Sequence, residues 1–219
     1  MIENEQKMKE ILQVLNDEGI LSNVIIIGSW SLFFYKEIFE NFSPMVRTRD
    51  IDFYVPSPKQ IKERDNVIAS LKSLNYDFIR DTLTHKSTFI SPDDFELEFL
   101  TKLNKDNLAC VKLGNTNIYA ESISYVEIFS NNYVEILYQG IKVKVASPAS
   151  YVLQKLLINN KRKEKKEKDI ESVRHVLNYI NGSRKYSEEL KTLFESLPKT
   201  WKKKIKSIVE ANDLNLDFK

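Results

Sequence analysis

The chain has 219 residues, 42% of them hydrophobic and 29% charged, with a net charge of +2, a balance that supports a sizeable packed core and excludes a low-complexity or disordered polymer. A single cysteine, Cys110, excludes an intramolecular disulfide and a cysteine-based metal cluster, and fits a reducing cytoplasm. Residues 1–9 are charged and no apolar run approaches about 18 residues, so neither a signal peptide nor a membrane span is expected.

Residues 5–18 carry Met8, Ile11, Leu12, Val14 and Leu15 at helical spacing, closed by Gly19. Val24-Ile25-Ile26-Ile27 reads as a buried strand that stops at Gly28-Ser29, and an apolar helix is predicted over 30–39. Gly28 allows a ligand close to the backbone. Ser29, at the start of that helix, offers N–H groups that favour an anion. A plain tight turn with a capping serine accounts for the same two residues.

Arg47-Thr48-Arg49-Asp50-Ile51-Asp52-Phe53-Tyr54-Val55 is a strand in which Asp50 and Asp52 share one face and Ile51, Phe53 and Val55 the other. Two like charges on one strand face repel unless a cation compensates them, and Mg²⁺ prefers such oxygens. An acidic solvent face on an edge strand is the bland reading. After Pro56-Ser57-Pro58 an amphipathic helix is predicted over 59–74, followed by strands over 76–80, 85–90 and 95–100. In the last of these Glu96 and Glu98 alternate with Phe95, Leu97 and Phe99, so a second strand offers carboxylates at period two beside Asp50 and Asp52.

Residues 104–117 are polar and turn-rich, 119–138 supply two further strands, and 141–145 one more. A helix over 148–159 begins with Ser147 as cap and Pro148 in its first turn. Beyond it the chain reads as helical: a basic run over 161–168, then helices over 169–181, 187–197 and 198–211. The basic run and Lys202-Lys203-Lys204 beside Trp201 read either as phosphate contacts or as solvated faces. His175 reads as a surface or core residue rather than a ligand. Charge divides near Gly140: residues 1–140 hold 14 basic and 21 acidic side chains, residues 141–219 hold 19 and 10. A basic half facing an acidic one suits a polyanionic ligand such as a nucleotide or RNA, and solubility alone also produces such a split.

The strand ending in Gly28-Ser29, the Arg47-Thr48-x-Asp50-Ile51-Asp52 strand and a carboxylate within 95–100 together resemble the DNA polymerase beta-like nucleotidyltransferase superfamily, near its abortive-infection (AbiEii-like) branch of toxin-antitoxin nucleotidyltransferases. The likeness covers about residues 20–100 and continues through Ala146-Ser147-Pro148, Lys155-Leu156 and Lys168-Asp169. It implies an α/β (α+β) nucleotidyltransferase fold, with a mixed sheet flanked by helices over 1–145 and a mostly helical domain over 146–219. It also implies metal-dependent transfer of a nucleoside monophosphate from an NTP such as ATP to a hydroxyl of tRNA, another RNA, a protein or a small molecule. Asp50, Asp52 and Glu98, with Glu96 close behind, would hold Mg²⁺ (or Mn²⁺). Gly28, Ser29, Arg47, Thr48 and Lys155 would hold the nucleotide. The competing expectation is a non-catalytic nucleotide- or partner-binding module of a toxin-antitoxin or phage-defence system.

Overall fold

The computed structural model describes residues 2–44, 48–104, 106, 108–161 and 164–216. Helix α1 (Ile2–Asp17) turns Met8, Ile11, Leu12 and Leu15 inward at spacings of three and four, and all four are fully buried. Strand β1 (Ile25–Ile27) is buried along its length because it lies in the middle of a sheet. On one side it pairs antiparallel with β2 (Asp50–Tyr54), on the other parallel with β9 (Ile141–Ala146). Burial on both faces is what the unbroken β-branched run anticipates.

The remaining strands are β3 (Asp77–Arg80), β4 (Ser87–Ile90), β5 (Glu96–Lys102), β6 (Cys110–Lys112), β7 (Tyr119–Ile123) and β8 (Tyr133–Tyr138). They order as β3-β4-β5-β2-β1-β9-β8, with β7 continuing along β5 and β6 along β7. The sheet is mixed, and its one decisive register is the parallel pair β2–β5. There Asp50 lies opposite Glu96 and Asp52 opposite Glu98. Beneath this acidic face Ile51, Phe53, Leu97 and Phe99 are buried, and the rings of Phe53 and Phe99 stack at 5.7 Å. Each such side chain contributes roughly 1.5–3 kcal/mol of burial. That apolar underside fixes the register, since a slip of one residue would turn the carboxylates into the core.

Two predicted helices are shorter than their periodicity suggests. Over 30–39 there is a single α-turn, α2 (Ser31–Phe34), between 3₁₀ turns at Gly28–Trp30 and Tyr35–Glu37. Trp30, Leu32, Phe33, Phe34 and Tyr35 are all buried. No solvent face organises the segment, and its rings pack edge-on, Phe33 against Phe34 at 5.1 Å. Over 59–74 only α3 (Val67–Ser73) is α-helical. Asn66 sets its start by accepting the Ala69 N–H, while the Glu18 carboxylate accepts the Asp65 N–H and the Ser70 hydroxyl and holds the preceding chain in a loop. Strand β6 lies inside the segment read as turn-rich.

From Pro148 onward the chain is helical: α4 (Pro148–Ile158), α5 (Lys166–Asn181), α6 (Arg184–Ser196) and α7 (Lys199–Ala211). Ser147 caps α4 by accepting the Ser150 N–H at 3.2 Å, with Pro148 in the first turn. Helix α4 packs against α5, α6 and α7 and is buried on nearly every side. The Tyr35 hydroxyl donates to the Ala146 carbonyl at 3.0 Å and its ring meets Tyr151 at 6.0 Å, tying the start of α4 to the sheet. No described helix is long and apolar enough to cross a membrane.

Candidate active site

Where β1 ends, Gly28 has φ +67°, a left-handed conformation that glycine adopts without a Cβ penalty. A Cβ there would stand 2.7 Å from Oδ2 of Asp52. The reason is the β1–β2 register, which puts Ile27 opposite Asp52 and so brings the Gly28-Ser29 turn onto that carboxylate. The turn and the Asp-x-Asp face, 21 residues or more apart in sequence, are thus in contact. They open into one cleft of about 400 Å³.

The cleft has three walls. Ile27, Gly28, Ser29, Thr48, Asp50 and Asp52 form the first, Leu100 and Ser122 through Tyr125 the second, and Gln154, Lys155, Ile158, Lys161, Lys165, Lys168 and Asp169 the third. An acidic strand face is therefore roofed by a lysine-rich pair of helices. Lys165 Nζ lies 3.7 Å from Asp50 Oδ2 across the gap. Lys155 Nζ and Asp169 Oδ1 form an ion pair of 2.7 Å, each side chain only 5% exposed. Such a pair stands because it is mutual, and removing either partner leaves a buried charge.

The predicted residues fall into groups. Gly28, Ser29, Thr48, Asp50, Asp52 and Lys155 all line the cleft; Arg47 lies outside the described residues. Ser29 sits in a 3₁₀ turn ahead of a helix of only four residues. A long helix dipole is therefore absent there, and the hydroxyl and turn backbone remain as anion ligands. Glu98 lies in register beside Asp52 on the expected face, but its carboxylate takes Lys86 Nζ at 2.8 Å and the Thr88 hydroxyl at 3.3 Å. Lys86 also meets Glu121 at 3.0 Å. Burial alone would lower the Lys86 pKa, but hydrogen bonds to Glu98 and Glu121 outweigh it and hold the ammonium above the ordinary lysine range. Neither Glu96 nor Glu98 is among the described residues lining the cleft. Glu96, opposite Asp50, has its pKa raised by burial and then by the charges of Glu98 and Asp50.

Sequence reasoning missed Tyr125, Gln154, Lys161, Lys165, Lys168 and Asp169 as cleft residues. The Lys168-Asp169 pair carried a signal within the family likeness, and Lys161, Lys165 and Lys168 belong to the basic run that reads either as phosphate contacts or as a solvated face. His175 is peripheral, its Nε2 2.9 Å from the Ser43 carbonyl and its ring against Phe42.

A cation fits the donors that are present. Asp50 and Asp52 offer hard oxygens on one face, and Gly28 leaves open the space beside Asp52 Oδ2 that any larger residue would fill. Among the described residues no cluster of three or more acidic, histidine or cysteine side chains is placed to enclose an ion. A hard divalent ion can be held by one or two carboxylates, its shell completed by water and substrate phosphates.

A nucleotidyltransferase family model matches residues 6–197. The chain belongs to the nucleotidyltransferase family. It is a transferase, and the match extends from α1 through the cleft to the end of α6. Two solved structures of the antibiotic-resistance factor ANT(2'')-Ia share its fold. The solution structure has 15% identity and a TM-score of 0.50 over 86% of this chain and 89% of that one. The crystal structure, a complex with adenylyl-2''-tobramycin, has the same identity and score over 86% and 92%. No curated protein matches the chain by sequence.

Proposed function

We propose that the cleft transfers a nucleoside monophosphate from a metal-bound NTP to an acceptor hydroxyl and releases pyrophosphate. The observation that carries this reading is the contact between the Gly28-Ser29 turn and the Asp50/Asp52 face within one cleft roofed by lysines. A triphosphate placed there meets the turn on one side and Lys165 and Lys168 on the other, with Thr48 at the edge. Lys155 acts through Asp169, keeping α4 and α5 fixed beneath the phosphates.

In this reading Asp50 and Asp52 would hold Mg²⁺ or Mn²⁺, and a bound ion would supply neutralisation of charge on the phosphates. The acceptor oxygen bonds to the α-phosphorus, the bond from that phosphorus to the bridging oxygen of the β-phosphate breaks, and the hydroxyl proton passes to an aspartate of the pair. Glu98, held by Lys86 and Thr88, is the third carboxylate of the face and acts at one remove. With Lys86 between them, Glu98 and Glu121 keep a net negative charge beside the cation site. Residues 1–145 form the catalytic unit and 146–219 the helical roof. The branch of abortive-infection enzymes is the affinity that Thr48, Asp50, Asp52 and the Lys168-Asp169 pair support, and a cytoplasmic protein using ATP accords with it.

The test is incorporation of label from each of four α-labelled NTPs into total RNA and into a panel of hydroxyl-bearing small molecules. Wild type is compared with Asp50→Asn/Asp52→Asn, which preserves shape and removes charge. A loss of roughly 10³-fold, about 4 kcal/mol of transition-state stabilisation, is expected. Label transfer unchanged in the double variant sinks the assignment. A folded wild type that binds no Mg-NTP supports the non-catalytic module instead.

A further inference from the structure

Tyr125 follows β7 with φ +70° and ψ 3°, a left-handed conformation costing a non-glycine residue about 1–2 kcal/mol. The next turn over-determines it, because Val126, Ile128 and Phe129 are buried immediately behind. What the strained backbone achieves is to set the half-buried Tyr125 ring on the wall of the cleft that holds Asp50 and Asp52. Around that ring the fold gathers groups from two distant stretches. Trp201 of α7 meets it edge-on at 5.0 Å. Lys204, one turn later on the same helix face, places Nζ 4.8 Å from the ring centroid and 3.5 Å from the hydroxyl. Lys161, just after α4, places Nζ 5.1 Å from the centroid and donates to the Ser124 hydroxyl at 3.3 Å. Among the described residues neither Lys161 nor Lys204 pairs with a carboxylate.

We propose that Tyr125, Trp201, Lys161 and Lys204 form the platform on which a single-stranded nucleic acid lies, its terminal hydroxyl being the acceptor presented to Asp50 and Asp52. This rests on the transfer reading above and names its acceptor class. Aromatic rings with lysines over them are a combination that holds a single strand without reading its sequence: as Lys161 and Lys204 turn from the Tyr125 ring to the phosphates, a base stacks on the ring they leave. Lys165 and Lys168, also on the cleft wall, extend the same sign of charge toward the phosphates of the NTP. A polycationic acceptor would meet lysines on this approach, whereas a polyanion is drawn along it.

The experiment is fluorescence anisotropy of labelled 12-nucleotide single strands, one RNA and one DNA, titrated with the full chain without NTP. Variants are Tyr125→Asn, which tolerates the left-handed backbone, and Lys161→Gln/Lys204→Gln. Lys185→Gln, a lysine set over Tyr186 on α6, is the control. Tyr125→Asn is expected to weaken binding about tenfold or more. The lysine pair should reduce the log–log salt slope by about 1.4, two contacts at about 0.7 each, and Lys185→Gln should change neither. RNA and DNA binding alike defines a polynucleotide platform, and a preference for RNA defines one that reads the 2′-hydroxyl. The proposal is overturned if the folded protein binds neither strand at 50 mM salt or if Lys185→Gln weakens binding as much as Tyr125→Asn. It is also overturned if Tyr125→Asn instead weakens Mg-NTP binding tenfold, which would make the ring a nucleotide contact. Because Asp50→Asn/Asp52→Asn should still bind the strands, failure of the platform and failure of transfer are separable.

Discussion

A methyl group added at position 28 would stand 2.7 Å from Asp52 Oδ2, 3.7 Å from its carboxyl carbon and 3.9 Å from its Cβ. Ordinary contact begins near 3.4 Å, so Gly28→Ala must push the carboxylate away by about 0.7 Å. The backbone adds its own cost: φ +67° disfavours alanine by about 1–2 kcal/mol. For a chain of this size each kcal/mol lowers Tm by about 2–4 °C, giving a fall of roughly 2–8 °C. The effect on the site should be larger than on the fold, since a misplacement approaching 1 Å in a reacting geometry costs up to about 10²-fold. Gly140→Ala separates the two effects. Gly140 has φ +85° in the β8–β9 hairpin with nothing within 4 Å of its notional Cβ, so it carries the strain without the collision. Thermal melts and Mg-NTP calorimetry on both variants should show similar falls in Tm, and affinity lost at least tenfold only in Gly28→Ala. Wild-type nucleotide affinity in Gly28→Ala, or an equal loss in Gly140→Ala, would refute the claim that Gly28 exists to leave room beside Asp52.

Lys155→Met or Asp169→Asn alone should destabilise by about 3–5 kcal/mol, seen as a lower denaturation midpoint, with Lys155→Met/Asp169→Leu recovering most of it. Losses under 1 kcal/mol in both single variants would deny the pair its structural role. Saturation with Mg-NTP at a hundred times its Kd should stabilise wild type by about 2.7 kcal/mol, or roughly 5–11 °C. Chelation with EDTA, or Asp50→Asn/Asp52→Asn, should abolish that shift; a shift that survives EDTA would argue against a metal-bound nucleotide. Glu98→Gln should lower label transfer by less than about tenfold, far below the loss in the aspartate double variant, because its carboxylate faces Lys86 rather than the cleft. A loss as great as theirs would show that Glu98 reaches the reacting atoms.

Much of the fold was legible from local pattern. The β-branched run 24–27, the period-two alternation at 50–55 and 95–100, and the serine-proline start at 147–148 each encode their element in contiguous residues. The strand propensities and caps act there over one or two turns of chain. The helices over 30–39 and 59–74 came out short because their limits were set by what packs around them: six consecutive buried side chains, Trp30 to Tyr35, in one case, and Glu18, just after α1, in the other.

By itself the sequence determined which side chains share a face: Asp50 with Asp52, Glu96 with Glu98, Ile51 with Phe53. That follows from backbone geometry alone. Only the tertiary structure decided which of those faces meet. The β1–β2 register put Gly28 against Asp52, Lys86 of the loop before β4 drew Glu98 to itself, and α4, α5 and α7 delivered the lysines and Trp201 to the cleft and its rim. Contacts between segments tens of residues apart depend on long-range packing of apolar surfaces, a sum over the whole core that no short window of sequence contains.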